Sequence, residues 1–336
     1  MGESLAATSN LLVYSAMTAY AVALLAFSLD LSGRGRTAPA AAPARRGALV
    51  GAGALSTTGP STSGPATGDP SGAVGDDGPV HERRRAAAVG VTTTWLALLL
   101  HVGAVVTRGV SAGRVPWGNM YEFTLTGAAV VTAVYVAVLW RRDLRYLGVF
   151  VVGPVLLTLG IALAVLYTDS AELVPALQSY WLVIHVSVAT VSSALFVIAF
   201  SANVLQLVQG RREELRAAGT PPRRGRFMDL LPGSVELERA AYRLIALSFP
   251  LWSFTLVAGA IWAERAWGRY WGWDPKEVWT FVIWVVYAAY LHARATRGWD
   301  GRRAAYLAIA GFACILVNWG VVNVFFPGNH SYAGIG

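Results

Sequence analysis

The sequence predicts an all-α integral membrane protein of about eight transmembrane helices, with both termini extracytoplasmic. Three observations carry that expectation. Of the 336 residues, 55% are hydrophobic and only 14% charged, with a mean hydropathy of +0.49, whereas soluble domains carry about a quarter charged residues. Eight windows are apolar over the roughly 20 residues that a bilayer-crossing helix needs. The basic residues, finally, gather in alternate loops. A net charge of +8 with Lys276 as the only lysine reads as membrane topology, not as a nucleic-acid-binding surface. An ordinary soluble enzyme is excluded, and the lipid bilayer is the first partner.

In chain order the windows lie near 11–30, 87–107, 120–140, 146–167, 181–207, 241–263, 276–294 and 304–326. Residues 1–30 hold the first helix. Met1 to Asn10 has no basic residue and no small-residue cleavage site follows, so the pattern is not that of a removable signal peptide. Residues 31–85 are mostly Ala, Gly, Pro, Ser and Thr, too poor in large apolar side chains to order themselves, and are expected to form a disordered cytoplasmic linker. Residues 86–336 supply a seven-helix membrane domain. Its basic loop 209–240 is expected to carry a short amphipathic helix at the inner surface. The single cysteine, Cys314, excludes an intrachain disulfide, a Cys-based zinc site and a dithiol pair.

The loops after spans one, three, five and seven hold 21 basic residues, including Arg83 to Arg85, Arg211, Arg212 and Arg216. The opposite loops hold five: Arg108, Arg114, Arg265, Arg269 and Lys276. Arginine-rich loops stay cytoplasmic, which places the loop 264–279 outside.

That loop is unusual. It reads Trp267-Gly-Arg-Tyr-Trp271-Gly-Trp273-Asp274-Pro275-Lys276-Glu277-Val-Trp279. An interfacial aromatic belt accounts for one or two rings per helix end. The density here, with glycines interleaved, points instead to a platform for a large flat aromatic ligand, since stacked rings add specific offset geometry to burial. Asp274, Pro275 and Glu277 also fit the N-cap, N1 and N3 positions of a helix start, so Asp274 has a purely structural reading as well. Asn119 and Glu122 offer a similar start to span three.

Of five histidines, His81 lies in the linker beside arginines and is read as a solvated bystander. His185, in the first turns of span five, and His330, after Pro327-Gly328 stops the last helix, share the side of the Trp-rich loop. His101 lies inside span two and His292 near the inner end of span seven. Each alone is as readily a hydrogen-bonded packing residue. Ionisable groups within spans, however, are functional more often than elsewhere, and two imidazoles beside an aromatic shelf suit a bis-histidine haem. Zinc is the competing metal, but that side has no cysteine and few spare carboxylates to complete a tetrahedron.

The segment Trp267-Gly-x-x-Trp271-x-Trp273-Asp274-x-x-Glu277-x-Trp279 resembles the tryptophan-rich WWD signature of haem-handling proteins. Its arrangement is similar to the cytochrome c biogenesis protein family CcsA/ResC, the system II cytochrome c synthase subunit. Supporting segments are Pro116-x-x-Asn119-x-Tyr121-Glu122, Ser179 to Val186, Tyr290-Leu291-His292-Ala293-Arg294 and Phe326 to Tyr332. The likeness covers roughly 87–336 outside the 209–240 loop. The resemblance implies that His185 and His330 are extracytoplasmic haem-iron ligands, and that His292 is an intramembrane one. It also implies that Trp267, Trp271, Trp273, Asp274 and Trp279 belong to the haem-binding face.

The implied function is cytochrome c maturation in the bacterial plasma membrane. Haem b is held and presented for thioether attachment to the Cys-x-x-Cys-His segment of an apocytochrome c, as part of a holocytochrome c synthase (haem lyase) complex, with a share in moving haem across the membrane. A histidine of the incoming cytochrome displaces His185 or His330 for release. The implied partners are a ResB-type membrane subunit, which supplies the second ligand at His292, and a thioredoxin-like thiol reductant, since a lone cysteine cannot keep two thiols reduced. His101 is expected to be a packing residue or a polar contact on the haem path. Two alternatives stand beside this reading: a system I haem-handling protein, and a multi-span transporter of another solute. Eight spans without a large outer domain count against the first, and the lack of inverted repeats counts against the second.

Overall fold

A computed structural model gives the architecture and describes residues 2–34, 78–170, 172, 174–220, 225–296 and 299–330. Among these, every regular element is helical. α1 spans Gly2–Arg34, α2 Gly78–Ala112, α3 Met120–Arg141, α4 Gly148–Ala164, α5 Tyr180–Ala217, α6 Ser234–Trp267, α7 Pro275–Ala295 and α8 Arg302–Leu316. α8 runs on through a π-helical segment, Val317–Val322, to Phe325. Eight helical stretches of the described residues are long and apolar enough to cross a membrane, as the hydropathy windows predict.

Two expectations are corrected at their edges. α1 continues to Arg34 and α2 already starts at Gly78, so helix enters both ends of the stretch 31–85 read as linker. The intervening 35–77 lie outside the described residues. The 209–240 loop holds no α-helix of its own among its described residues. α5 instead continues to Ala217, because Arg211 to Ala217 is a run of good helix formers with an Arg211–Glu214 pair on one face. One 3₁₀ turn, Arg226–Leu230, precedes α6. It is tied back to α5 where Arg212 and Arg216 both bond Asp229.

Lipid tails are as apolar as leucine, so helices associate in a bilayer through close packing and interhelical hydrogen bonds. α1 lies along α2, with Ser9 donating to the Ala104 carbonyl at 2.8 Å. α5 lies along α6, where Ser192 and Ser248 donate to each other's carbonyls at 2.9 and 2.8 Å. Pro154 inside α4 cannot bond the Phe150 carbonyl one turn earlier, and Ser201 of α5 donates to that oxygen at 3.2 Å. One core cluster joins α1 to α4, and a second gathers α5 to α8 with Leu31 of α1, Leu98 of α2 and residues of α3 and α4 such as Tyr135 and Val151. In the second, Phe196 stacks on Tyr287 at 3.8 Å. Leu25, Leu99, Leu157 and Val257 point outward, exposed, as lipid-facing side chains should.

Candidate functional site

At the end of the bundle that carries the Trp-rich loop, two helix starts use the same device. Asp274 caps α7: its carboxylate accepts the Lys276 amide at 3.1 Å, while Glu277 accepts the Asp274 amide at 3.1 Å and the Gly272 amide at 2.8 Å. Asn119 caps α3 by accepting the Glu122 amide at 2.9 Å, and Glu122 accepts the Gly118 amide at 2.9 Å. Each glutamate is also paired with a preceding arginine, Arg269 at 3.3 Å and Arg114 at 2.6 Å. Arg108 adds a second buried pair to Glu122. Each unit thus reads Trp-Gly, cap, then Glu, and sets one tryptophan, Trp117 or Trp271, on the wall of a shared cavity.

That cavity has a volume of about 960 Å³, at the upper end of the range for sites that enclose a drug-sized ligand. α5 lines it from Leu182 to Val204, a length on the order of 30 Å at 1.5 Å per residue, so it runs through most of the bilayer's hydrocarbon depth. The walls are mostly apolar. Leu157 and Ile161 of α4 and Leu316 of α8 border it while remaining exposed, which leaves it open on that side. His185, His330, Lys276, Glu277, Asn119 and Asn323 are among its polar lining residues and lie at the Trp-loop ends of their helices or just beyond, with Asn318 about one turn further in.

His185 and His330 come together around one indole. The His185 ring stacks on Trp262 with centroids 5.9 Å apart and planes at 15°, and the His330 ring meets Trp262 edge-on at 5.3 Å. His185 Nδ1 donates to the Thr255 carbonyl at 2.9 Å. His330 Nδ1 donates to Asp274 Oδ2 at 2.8 Å. In both rings the committed nitrogen is Nδ1. Nε2 of each ring makes no hydrogen bond to the protein among the described residues, and an acceptor on Nδ1 is the arrangement that fixes ring orientation for a metal-binding imidazole. Gly259 makes room for this: a Cβ there would stand 2.7 Å from His185 Cε1 and 2.8 Å from Nδ1.

Asp274 therefore does two jobs. Besides capping α7, it accepts the Asn329 amide at 2.7 Å and the His330 ring. Burial pushes its carboxyl pKa up, but His330 and the two backbone amides outweigh that and hold it below its ordinary 3.8. The other signature residues divide by direction. Trp267 packs edge-on against Trp262 and His330 at 4.7 and 5.0 Å. Trp271 faces the cavity and meets Trp273 edge-on at 5.8 Å. Trp273 projects outward, 73% exposed, on a left-handed backbone with φ of 59°. Trp279 is half-buried on α7 and borders no part of the cavity.

His292 lies apart from this cluster, exposed on α7 a few residues from its Arg-rich end. His101 is fully buried between α1 and α3, facing the Leu125 carbonyl at 3.0 Å and the Tyr20 hydroxyl at 3.2 Å, and does not border the cavity. Among the described residues no three His, Cys, Asp or Glu side chains gather as a metal cage. Sequence reasoning missed Trp117, Trp262 and Gly259. The signal that could have found Trp117 is the likeness of Trp-Gly-Asn-x-x-Glu at 117–122 to Trp-Gly-Trp-Asp-x-x-Glu at 271–277.

A family model described as cytochrome C assembly protein matches residues 117–330, a stretch that opens on Trp117 and closes on His330. The chain is 33% identical over 296 residues to the cytochrome c biogenesis protein CcsA of Picosynechococcus sp., an overlap of 73% of this chain and 86% of that protein. It is 35% identical over 286 residues to CcsA of Synechococcus elongatus (73% and 87% covered). With CcsA of Guillardia theta the identity is 34% over 258 residues (73% and 85% covered).

Proposed function

We propose, because this chain belongs to the cytochrome c assembly protein family and is a CcsA relative, that it serves cytochrome c maturation by binding haem between His185 and His330 and presenting it to an apocytochrome c. The observation that carries the reading is the shared anchoring of the two rings. Each has Nδ1 fixed by an acceptor and Nε2 free, and both border one apolar cavity. Such a pair suits a bis-histidine iron. The 960 Å³ cavity has room for a flat macrocycle. The chemistry that haem supplies is its two vinyl groups, across which cysteine S–H adds, sulfur to one carbon and hydrogen to the other.

The chain's own contribution is positioning. Thr255 and Asp274 hold the imidazoles, Trp262 and Trp267 brace them, and Trp271 and the outward Trp273 form the surface that a Cys-x-x-Cys-His segment meets. Holding two reactants in a near-attack arrangement supplies up to about 7–11 kcal/mol of a barrier in favourable cases. The 21 basic residues in the opposite loops against five on this side support an extracytoplasmic location for this end and for both termini. His292, exposed on α7, is free to meet a ResB-type partner that completes the coordination of an intramembrane haem. The thiols are kept reduced by a separate thioredoxin-like protein. Absorption spectroscopy of the purified chain tests the reading: a Soret band with sharp low-spin α and β bands on reduction is expected, and a chain that purifies without haem and binds none when it is added refutes it.

A further inference from the structure

We infer that Lys276 and Asn318 form a carboxylate-binding subsite in the wall of the cavity, which takes an acidic side chain of the porphyrin and so fixes the ring's rotation in its own plane; this rests on the haem reading above. Five cations lie at the Trp-loop end of the bundle, and four already face a carboxylate. Arg108 and Arg114 are paired with Glu122, Arg265 with Glu264, and Arg269 with Glu277. Among the described residues Lys276 makes no ion pair. It is the only lysine in the chain. From the first turn of α7 it reaches across to α8, where Nζ donates to the Asn318 carbonyl at 2.7 Å.

That carbonyl belongs to the π-helical segment Val317–Val322, a distortion that often marks functional positions in helices. An ammonium has three N–H donors, and this bond uses one. Asn318 is itself only 7% exposed, borders the same cavity, and its Oδ1 is buried without a partner. A part-buried ammonium that makes no ion pair and a buried amide oxygen without a partner are each costly away from water. A carboxylate bound here would accept from the ammonium with one oxygen and, with the amide turned about χ2 so that its NH₂ stands where Oδ1 now does, from Asn318 with the other. The nearby Asp274 is committed elsewhere, to the Lys276 and Asn329 amides and to His330. One turn of α7 thus sets both the His330 ligand and the in-plane anchor.

The test is a titration of the full-length detergent-solubilised chain with haem and with haem dimethyl ester, whose acidic groups are capped, followed by the Soret band. The wild type is expected to bind haem about tenfold or more tightly than the ester. Lys276→Met should bring haem down to the ester's affinity while leaving the ester unchanged, and unchanged ester binding reports an intact site. Lys276→Arg should keep most of the preference. If Lys276→Met also loses the ester, Asn318→Leu carries the same comparison, with a reduced preference expected. Equal binding of both compounds by the wild type, or a full preference in Lys276→Met, overturns the subsite and leaves the haem reading standing. No binding of either compound by the wild type ends both.

Discussion

Gly259→Ala perturbs the site without removing any group that touches a ligand. The added methyl carbon would stand 2.7 Å from His185 Cε1 and 2.8 Å from Nδ1, closer than carbon and ring atoms approach. α6 and α5 are held together below this point by the reciprocal Ser192–Ser248 hydrogen bonds, so the helices do not part easily and the imidazole must turn. Turning it breaks the 2.9 Å bond to the Thr255 carbonyl and the stacking on Trp262. A buried donor left without its acceptor costs about 1–3 kcal/mol, which corresponds to a loss of roughly 5- to 150-fold in haem affinity. The control is Gly160→Ala in α4, where a Cβ meets nothing within 4 Å. Haem titration of both variants, with the reduced α band as the readout of axial ligation, gives the comparison. A Gly259→Ala protein with wild-type affinity and a wild-type low-spin spectrum would refute the role assigned to His185.

Asp274→Asn keeps a good helix cap but takes the carboxylate from His330, so expression and thermal stability should stay near wild type while haem retention and cytochrome maturation fall; normal maturation in a normally expressed variant would return Asp274 to a cap alone. Trp273→Gly relieves a left-handed backbone that costs a residue with a side chain on the order of 1–2 kcal/mol, so the melting temperature should hold or rise while maturation drops, measured by haem stain of a co-expressed cytochrome. His292→Ala should leave the haem content of the isolated chain unchanged and lower it in a co-purified complex with a ResB-type subunit. A six-coordinate intramembrane haem in the isolated chain that disappears in His101→Ala would show that its second ligand is internal instead.

The local signals in the sequence lay where the physics is local. Runs of apolar residues locate the spans, and Asp274-Pro275-x-Glu277 and Asn119-x-x-Glu122 spell out their caps. His185 and His330 share an end of the bundle because the alternation of spans places them there. The second role of Asp274 was hidden, since its partner His330 lies 56 residues away in sequence and no spacing rule links a helix cap to the residue after another helix. Trp262 and Gly259 sit within an ordinary apolar run of α6, where nothing separates a tryptophan that braces two imidazoles from one that faces lipid. The extent of α5 beyond its apolar window follows from helix-forming charged residues, which hydropathy reads as loop.

The most direct measurement is the haem content and low-spin spectrum of the His185→Ala, His330→Ala double variant against the wild type, with cytochrome maturation followed in the same cells and imidazole added to the medium for the single variants. The account predicts loss of the Trp-loop-end haem and of maturation in the double variant, with partial recovery of each single variant by imidazole filling the vacated axial position. Unchanged haem content and unchanged maturation in the double variant would contradict it.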